Sequence, residues 1–195
     1  MLVLNRGCEP DGMGQVQEPK PVKFIVGILA ISEEILAQAS ELIARQLGPV
    51  ESHSEVWPFS STKYYAKEMS ETLLRQFVSL AQPAEPTDVV KLKLSCNSAE
   101  LADARERGRG LRRAINLDPG YITPAKLVLA SSKDYSHRIY LGRGIYAEAT
   151  LQYEQGSWRS FPWTFPDYAE PRYHGFFSEV RKRLLEQLRN QELKK

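Results

Sequence analysis

Apolar and polar positions along this chain switch between two periods, and the switches divide it into elements. At residues 22–29 the run VKFIVGIL is nearly all apolar and rich in β-branched residues, the pattern of a central strand buried on both faces. Ser32 then reads as an N-cap, with Ile31 and Leu36 placed for a hydrophobic staple. Ile35, Ala39, Leu42, Ile43 and Leu47 follow at helical spacing until Gly48 and Pro49 stop the helix. Two short strands are expected at 55–59 and 73–80, separated by the polar aromatic stretch SSTKYYAKEMSE. The resulting order of strand, helix, strand, strand suggests an antiparallel α+β sheet, with a ferredoxin-like N-terminal half as one arrangement.

Residues 86–107 carry two signals. Val90, Leu92 and Leu94 alternate as in a strand, whereas Asn97 with Glu100 three residues on resembles a capping box for a helix reaching residue 107. Asp118, Pro119 and Gly120 have the composition of an ordinary turn. Thr123 before Pro124 offers an N-cap and a first-turn proline, so KLVLA reads either as a short helix or, from its β-branched centre, as a strand.

Residues 137–141 and 145–153 flank the turn Gly142, Arg143, Gly144, which predicts a hairpin. A three-residue loop sets Leu141 opposite Ile145, Tyr140 opposite Tyr146, Ile139 opposite Ala147 and Arg138 opposite Glu148. One face then carries Ile139, Leu141, Ile145, Ala147, Ala149 and Leu151, and the other Arg138, Tyr140, Tyr146, Glu148 and Thr150. A second turn at Gln155 and Gly156 brings Tyr153 opposite Trp158 and extends the meander. FPWTFPDYAEP is expected to wrap the core as an ordered loop, and a last helix from about residue 172 to bury Phe176, Phe177, Val180, Leu184 and Leu188. The expectation is therefore one α+β domain at 21–190, mainly an antiparallel sheet with a C-terminal β-meander and C-terminal helix. Residues 1–20, rich in Gly, Pro and polar groups, read as a flexible arm in which Met13 offers an alternative start.

Composition narrows the partners. Lys and Arg exceed Asp and Glu by two (26 against 24), too even a balance to demand nucleic acid or a membrane surface. The two cysteines, Cys8 and Cys96, have neither the number nor the spacing of a disulfide framework or zinc cluster. No stretch has the length of a membrane span or the form of a signal peptide, which points to the cytoplasm.

The motif INLDPGYITPAKLVLASSKDYSHRIYLGRGIYAEATL, with PWTFPDY and the opening PKPVKFIVGIL, resembles the prokaryotic domain-of-unknown-function family forty-four sixteen over residues 13–188. The resemblance implies no established activity, although some relatives carry a GTP-binding label. Neither GxxxxGK[ST] nor GxGxxG occurs here, and both GRG tripeptides lie outside a strand-to-helix turn, so a nucleotide would have to be held by side chains.

The densest polar cluster of the motif holds Asp118, Lys126, Lys133, Asp134, His137, Arg138, Tyr140, Arg143 and Glu148. Lys126, Lys133, Arg138 and Arg143 are expected to neutralise an anion and Tyr140 to orient it, while His137, Asp118 or Glu148 handles protons. Against this stands a plain structural reading in which Arg138 and Glu148 form a cross-strand ion pair and His137 falls on the apolar face with Ile139. Ser131, Ser132 and Ser136 lie near His137 without an elbow motif, and His53, His137 and His174 would need long-range convergence to hold a metal. The leading expectation is a protein that binds an anionic, phosphorylated or nucleotide-like small molecule beside the 133–148 hairpin, with catalysis compatible. The alternative is a non-enzymatic RNA or protein interaction module built on the five arginines of residues 105–113 and nearby aromatics such as Tyr64 and Tyr65. An oligomeric scaffold, marked by a large exposed apolar patch, is the third.

Overall fold

A strand apolar on both faces is stable only inside a sheet covered on both sides, and the run at 22–29 has that environment. The computed structural model describes residues 16–60, 65, 68–106 and 113–193. In chain order the N-terminal half contains β1 (Val22–Ala30), α1 (Glu33–Leu47), β2 (Val50–His53), β3 (Trp57–Phe59), β4 (Leu73–Ala84), α2 (Val89–Glu106) and β5 (Ile115–Ile122). The C-terminal half contains β6 (Lys126–Ser131), β7 (Ile139–Gly142), β8 (Ile145–Glu154), β9 (Ser157–Ser160) and α3 (Pro171–Glu192).

Among the described residues these form one nine-stranded antiparallel sheet of order β2-β4-β1-β5-β6-β8-β7, with β3 beside β4 and β9 beside β8. The segment β2-β4-β1-β5, with α1 and α2 as crossovers, has the split βαβ order of ferredoxin-like domains. Alternation sends Phe24, Val26, Ile28 and Ala30 of β1 towards Ile35, Leu36, Ala39 and Ile43 of α1 and Val89, Leu92, Cys96 and Ala99 of α2. The opposite face, with Ile25 and Phe77, meets Tyr173, Phe176, Phe177 and Val180 of α3. Each Val, Leu, Ile or Phe side chain among them contributes about 1.5–3 kcal/mol when fully buried. Ser32 caps α1 as its position predicts, its Oγ accepting the Ile35 N–H at 3.3 Å. Lys23, the charged residue of β1, is fully buried but satisfied: Nζ donates to Ala81 O at 2.7 Å and Gln187 Oε1 at 2.8 Å and pairs with Glu51 at 2.9 Å.

Several local expectations are corrected. β2 was not anticipated, because VESH has little apolar pattern to mark it. Residues 89–106 are helical, with Asn97 and Glu100 in mid-helix rather than at a cap. Thr123 caps a turn rather than a helix, its Oγ1 accepting the Ala125 and Lys126 N–H groups at 3.1 and 3.0 Å, and KLVLA continues as β6. In the hairpin Ile139 faces Ala147 and Tyr140 faces Tyr146 as expected, but Gly142 rather than Leu141 faces Ile145. The reversal is a two-residue turn, with Arg143 and Gly144 both in the left-handed region at φ 55° and 77°, and the displaced Leu141 forms an irregularity before it. Ile139 and Leu141 are exposed because β7 ends the sheet.

The loop at 161–170 is anchored where β8 lacks a neighbour between β7 and β9. Trp163 Nε1 donates to Ala149 O at 2.9 Å, and Thr164 Oγ1 reaches Thr150 O at 2.5 Å.

Asp118, Pro119 and Gly120 form no turn but lie within β5, where they end its pairing with β6. Only Gly120, Tyr121 and Ile122 pair with β6, and a Cβ on Gly120 would lie 2.1 Å from Val128 O. The N–H and C=O of one residue in an antiparallel strand point the same way, so Leu117 and Pro119 both face the side on which β6 runs. Pro119 has no N–H to offer there. The Leu117 N–H instead donates to Glu100 Oε1 at 2.9 Å, and its C=O accepts from Lys93 Nζ at 3.0 Å, both from α2. The sheet thus splits beyond Gly120, with helix side chains satisfying the exposed edge. Gly120→Ala is expected to lower stability by about 1–3 kcal/mol through overpacking at this junction. Urea unfolding reads this as a lower midpoint at constant slope, and an unchanged midpoint would show that β5 and β6 part without strain.

Candidate functional site

The split opens into a cleft of about 630 Å³, a size suited to a small molecule. Its walls are Arg75 of β4, Asn116 and Asp118 of β5, Lys93, Asn97 and Glu100 of α2, the end of β6, Ser132, Lys133, Tyr135 and Arg138 before β7, Glu148 of β8 and the loop residues 165–168.

Sheet register places the deepest group. Arg75 and Asn116 sit on either side of Leu29, and at the next position on the same face Phe77 and Asp118 sit on either side of Gly27. With no side chain on Gly27, the Arg75 side chain crosses β1, bringing Nη1 within 3.3 Å of Asp118 Oδ2 and Nη2 within 2.7 Å of Asp167 Oδ2. A Cβ on Gly27 would lie 2.6 Å from Tyr168 Oη and 3.1 Å from Arg75 Nη1, so both groups occupy the space that the glycine leaves. The guanidinium also lies over the rings of Phe59, Phe77 and Tyr168 at 5.2–5.6 Å. Burial opposes its charge, but Asp167, Tyr168 and Asp118 outweigh that and hold the guanidinium above its ordinary pKa. Burial also holds the Tyr168 hydroxyl in its protonated form.

A second group closes the hairpin side. Glu148, almost fully buried, accepts from Arg138 Nε at 2.8 Å and lies 3.0 Å from His137 Nε2. Arg138 Nη1 donates to Ser131 Oγ at 2.7 Å and Lys133 O at 2.9 Å, and its guanidinium lies between Tyr135 (4.7 Å) and Phe165 (5.9 Å). His137 stacks on Tyr135 and Trp163. It reaches Glu148 because residues 135–138 turn, with the Arg138 N–H donating to Tyr135 O, before strand alternation begins. That turn overrides the expected apolar placement beside Ile139. On the α2 side Glu100 pairs with Arg113, which also reaches Glu68 at 3.4 Å. Burial draws the Lys93 ammonium below the ordinary lysine range.

Of the residues singled out from sequence, Asp118, Lys133, Arg138 and Glu148 meet in this cleft. His137 stands behind Glu148. Lys126 lies at the opposite end of β6, Arg143 in the hairpin turn, and Tyr140 on the edge strand, where its hydroxyl accepts the Gly144 N–H at 3.4 Å. None of the four is among the residues lining the cleft. His53 is bonded to Ser40 and His174 to Tyr168 O, on elements remote from His137 in sequence. Residues 107–112 of the arginine-rich segment, together with Tyr64, Cys8 and Met13, lie outside the described residues. Of the aromatics at 158–168, Trp158 and Tyr168 are core, while Trp163 and Phe165 are partly exposed.

Sequence reasoning missed Arg75, Lys93, Glu100, Asn116, Asp167 and Tyr168. The available signal was a charge where the period demands an apolar residue: Arg75 inside LLRQFVSL and Lys93 between Leu92 and Cys96. Among the described residues the charged lining groups balance, Arg75, Lys93, Arg113, Lys133 and Arg138 facing Glu68, Glu100, Asp118, Glu148 and Asp167. Unpartnered polarity lies elsewhere. Among the described residues Arg75 Nε, Asn116 Nδ2 and Tyr168 Oη are buried with no hydrogen-bond partner, and all three residues line the cleft.

Fold and site together define an α+β protein with a small-molecule-sized polar cleft at a split in a mainly antiparallel sheet. The chain belongs to the family of the domain of unknown function DUF4416, whose profile matches residues 20–184. No curated protein and no solved structure matches it significantly.

The Arg75 and Asp167 pair makes the cleft part of the folded core. Asp167→Ala leaves a buried cation short of its nearest carboxylate and is expected to cost about 3–5 kcal/mol. Guanidinium unfolding measures it; a loss below about 1 kcal/mol, the range of an exposed pair, would mean that Asp118 alone suffices for Arg75.

Proposed function

We propose that the cleft binds a small anionic molecule, phosphorylated or nucleotide-like, beside the 133–148 segment, in a protein acting in the cytoplasm. The observation that carries this reading is the set of three buried groups lacking partners, Arg75 Nε, Asn116 Nδ2 and Tyr168 Oη. Each offers a hydrogen to an acceptor, and burying such a group without one costs about 1–3 kcal/mol. A phosphate or carboxylate supplies several acceptor oxygens at once. Lys133 and Arg138 flank the same space from the hairpin side, and Tyr135 and Phe165 add aromatic surface to that wall. Glu148 and His137 serve the site by fixing Arg138, and Asp118 is the carboxylate placed to exchange protons. Lys126, Tyr140 and Arg143 take no part in this arrangement.

The test is thermal unfolding against inorganic phosphate, phosphate esters, nucleotides and a short RNA, repeated on Asn116→Leu and Tyr168→Phe. A ligand at about 100 times its Kd adds about 2.7 kcal/mol, a shift of several degrees for a domain of this size. Both variants remove an unpartnered buried polar group, so their stability without ligand is expected to hold or rise, while affinity falls about tenfold or more. A shift given by none of the compounds, or one undiminished in both variants, overturns the reading. A shift given by RNA alone, falling steeply with salt, would transfer the function to the arginine-rich segment at 105–113.

A further inference from the structure

The cleft also contains a primary amine that anion binding alone does not use. Lys93 is only 7% exposed, yet it lines the cleft, and its Nζ donates one hydrogen bond to Leu117 O at 3.0 Å. We propose that the Lys93 amine forms an imine with the carbonyl group of a small anionic aldehyde or ketone held in the cleft, making this a carbonyl-processing site.

Three features converge on this chemistry. First, one N–H anchored on Leu117 O fixes the end of an otherwise flexible side chain, so that in the neutral amine a lone pair is available to a bound carbonyl. Second, burial lowers the charge on Lys93; Asp118 and Cys96 oppose that effect, and Arg113 and Lys133 reinforce it. Third, Asp118, only partly buried, lies within electrostatic reach of the amine and is placed to carry protons for addition and dehydration.

The step balances without an added oxidant or reductant. The amine nitrogen attacks the carbonyl carbon, the C–O double bond opens, and its oxygen takes a proton as the nitrogen loses one, giving a carbinolamine. Protonation of that hydroxyl releases water, and the nitrogen lone pair forms the C=N bond. The net change is one carbonyl and one amine to one imine and one water. The imine nitrogen, once protonated, withdraws electrons from the adjacent carbon.

The inference rests on the anion-binding reading for the class of carbonyl compound, but not for the amine's reactivity. The experiment treats the full chain at pH 7 with glyoxylate, with pyridoxal 5′-phosphate, and with uncharged propanal, each with cyanoborohydride to reduce any imine to a stable secondary amine. Peptide mapping then locates the adduct. Burial lowers the Lys93 pKa and so raises its neutral fraction at pH 7, and Lys93 is therefore expected to be labelled faster than exposed lysines such as Lys91. The two anionic probes should react faster than propanal, inorganic phosphate should slow them, and Lys93→Met and Lys93→Arg should lose this adduct. Labelling of Lys93 no faster than of Lys91, Lys126 or Lys133 in the wild-type protein overturns the inference, whatever the variants do. Phosphate-induced thermal stabilisation, measured on the same samples, separates the two readings. Stabilisation without Lys93 labelling sinks the imine alone, whereas selective Lys93 labelling without stabilisation supports the amine chemistry and removes the anion site.

Discussion

The parting of β5 from β6 beyond Gly120 is the constraint on which the rest of the site depends. A sheet that splits leaves backbone donors and acceptors facing an opening, and such groups need partners. Here Pro119 removes one donor, and Leu117 receives Glu100 and Lys93 from α2 in place of a strand. The same substitution of side chains for strand brings charged groups into what is otherwise the middle of a sheet. The cleft is therefore part of how the sheet closes its hydrogen bonds, built on strands and a helix rather than on loops alone.

Arg75 shows how far that arrangement extends. A guanidinium in the centre of a sheet is stable only with carboxylates and rings close by, and β5 and the 161–170 loop supply them as Asp118, Asp167 and Tyr168. Gly27 makes room, and Phe77 and Phe177 hold the Tyr168 ring, by edge and by stacking respectively. The loop is in turn fixed through Trp163 and Thr164 on β8. A residue on β4, one on β5 and two on a proline-rich loop are thus placed by packing that precedes any ligand, which is the preorganisation that a binding or reacting site requires.

The fold class was legible because its signals were strong and local. VKFIVGIL had to be central, Ser32 had to cap, and α3 announced its buried face by spacing. Part of the site was legible too, since Asp118, Lys133, Arg138 and Glu148 stood out as unlike charges in one motif. The remainder was hidden by long-range pairing. Arg75 and Asn116 are 41 residues apart and become neighbours only through β1, and Asp167 is 92 residues from the arginine that it binds. The turn reading of Asp118, Pro119 and Gly120 failed because the same residues that break a strand at its end also break pairing on one edge of a strand that continues. Conversely, Tyr140 and Arg143 looked chemical because they sit beside cleft-lining residues in sequence, but strand alternation and the hairpin turn carry them away from the cleft.

Among the described residues, cations and carboxylates lining the cleft are equal in number, which bears on how the proposed site would select. A site with a large excess of positive charge attracts any anion, and salt weakens it. Among the described residues Arg75, Arg113 and Arg138 already have carboxylate partners, so these three cations add little long-range attraction for an anion. On the proposed reading, selection comes from geometry, from which oxygens meet the Arg75 Nε, the Asn116 amide and the Tyr168 hydroxyl. The same surroundings bear on Lys93: burial is the largest influence and lowers its pKa, Arg113 and Lys133 add to that, and Asp118 and Cys96 oppose it. Balanced charge, unpartnered donors and a buried amine are therefore linked features, all following from a sheet that opens where Pro119 and Gly120 direct it.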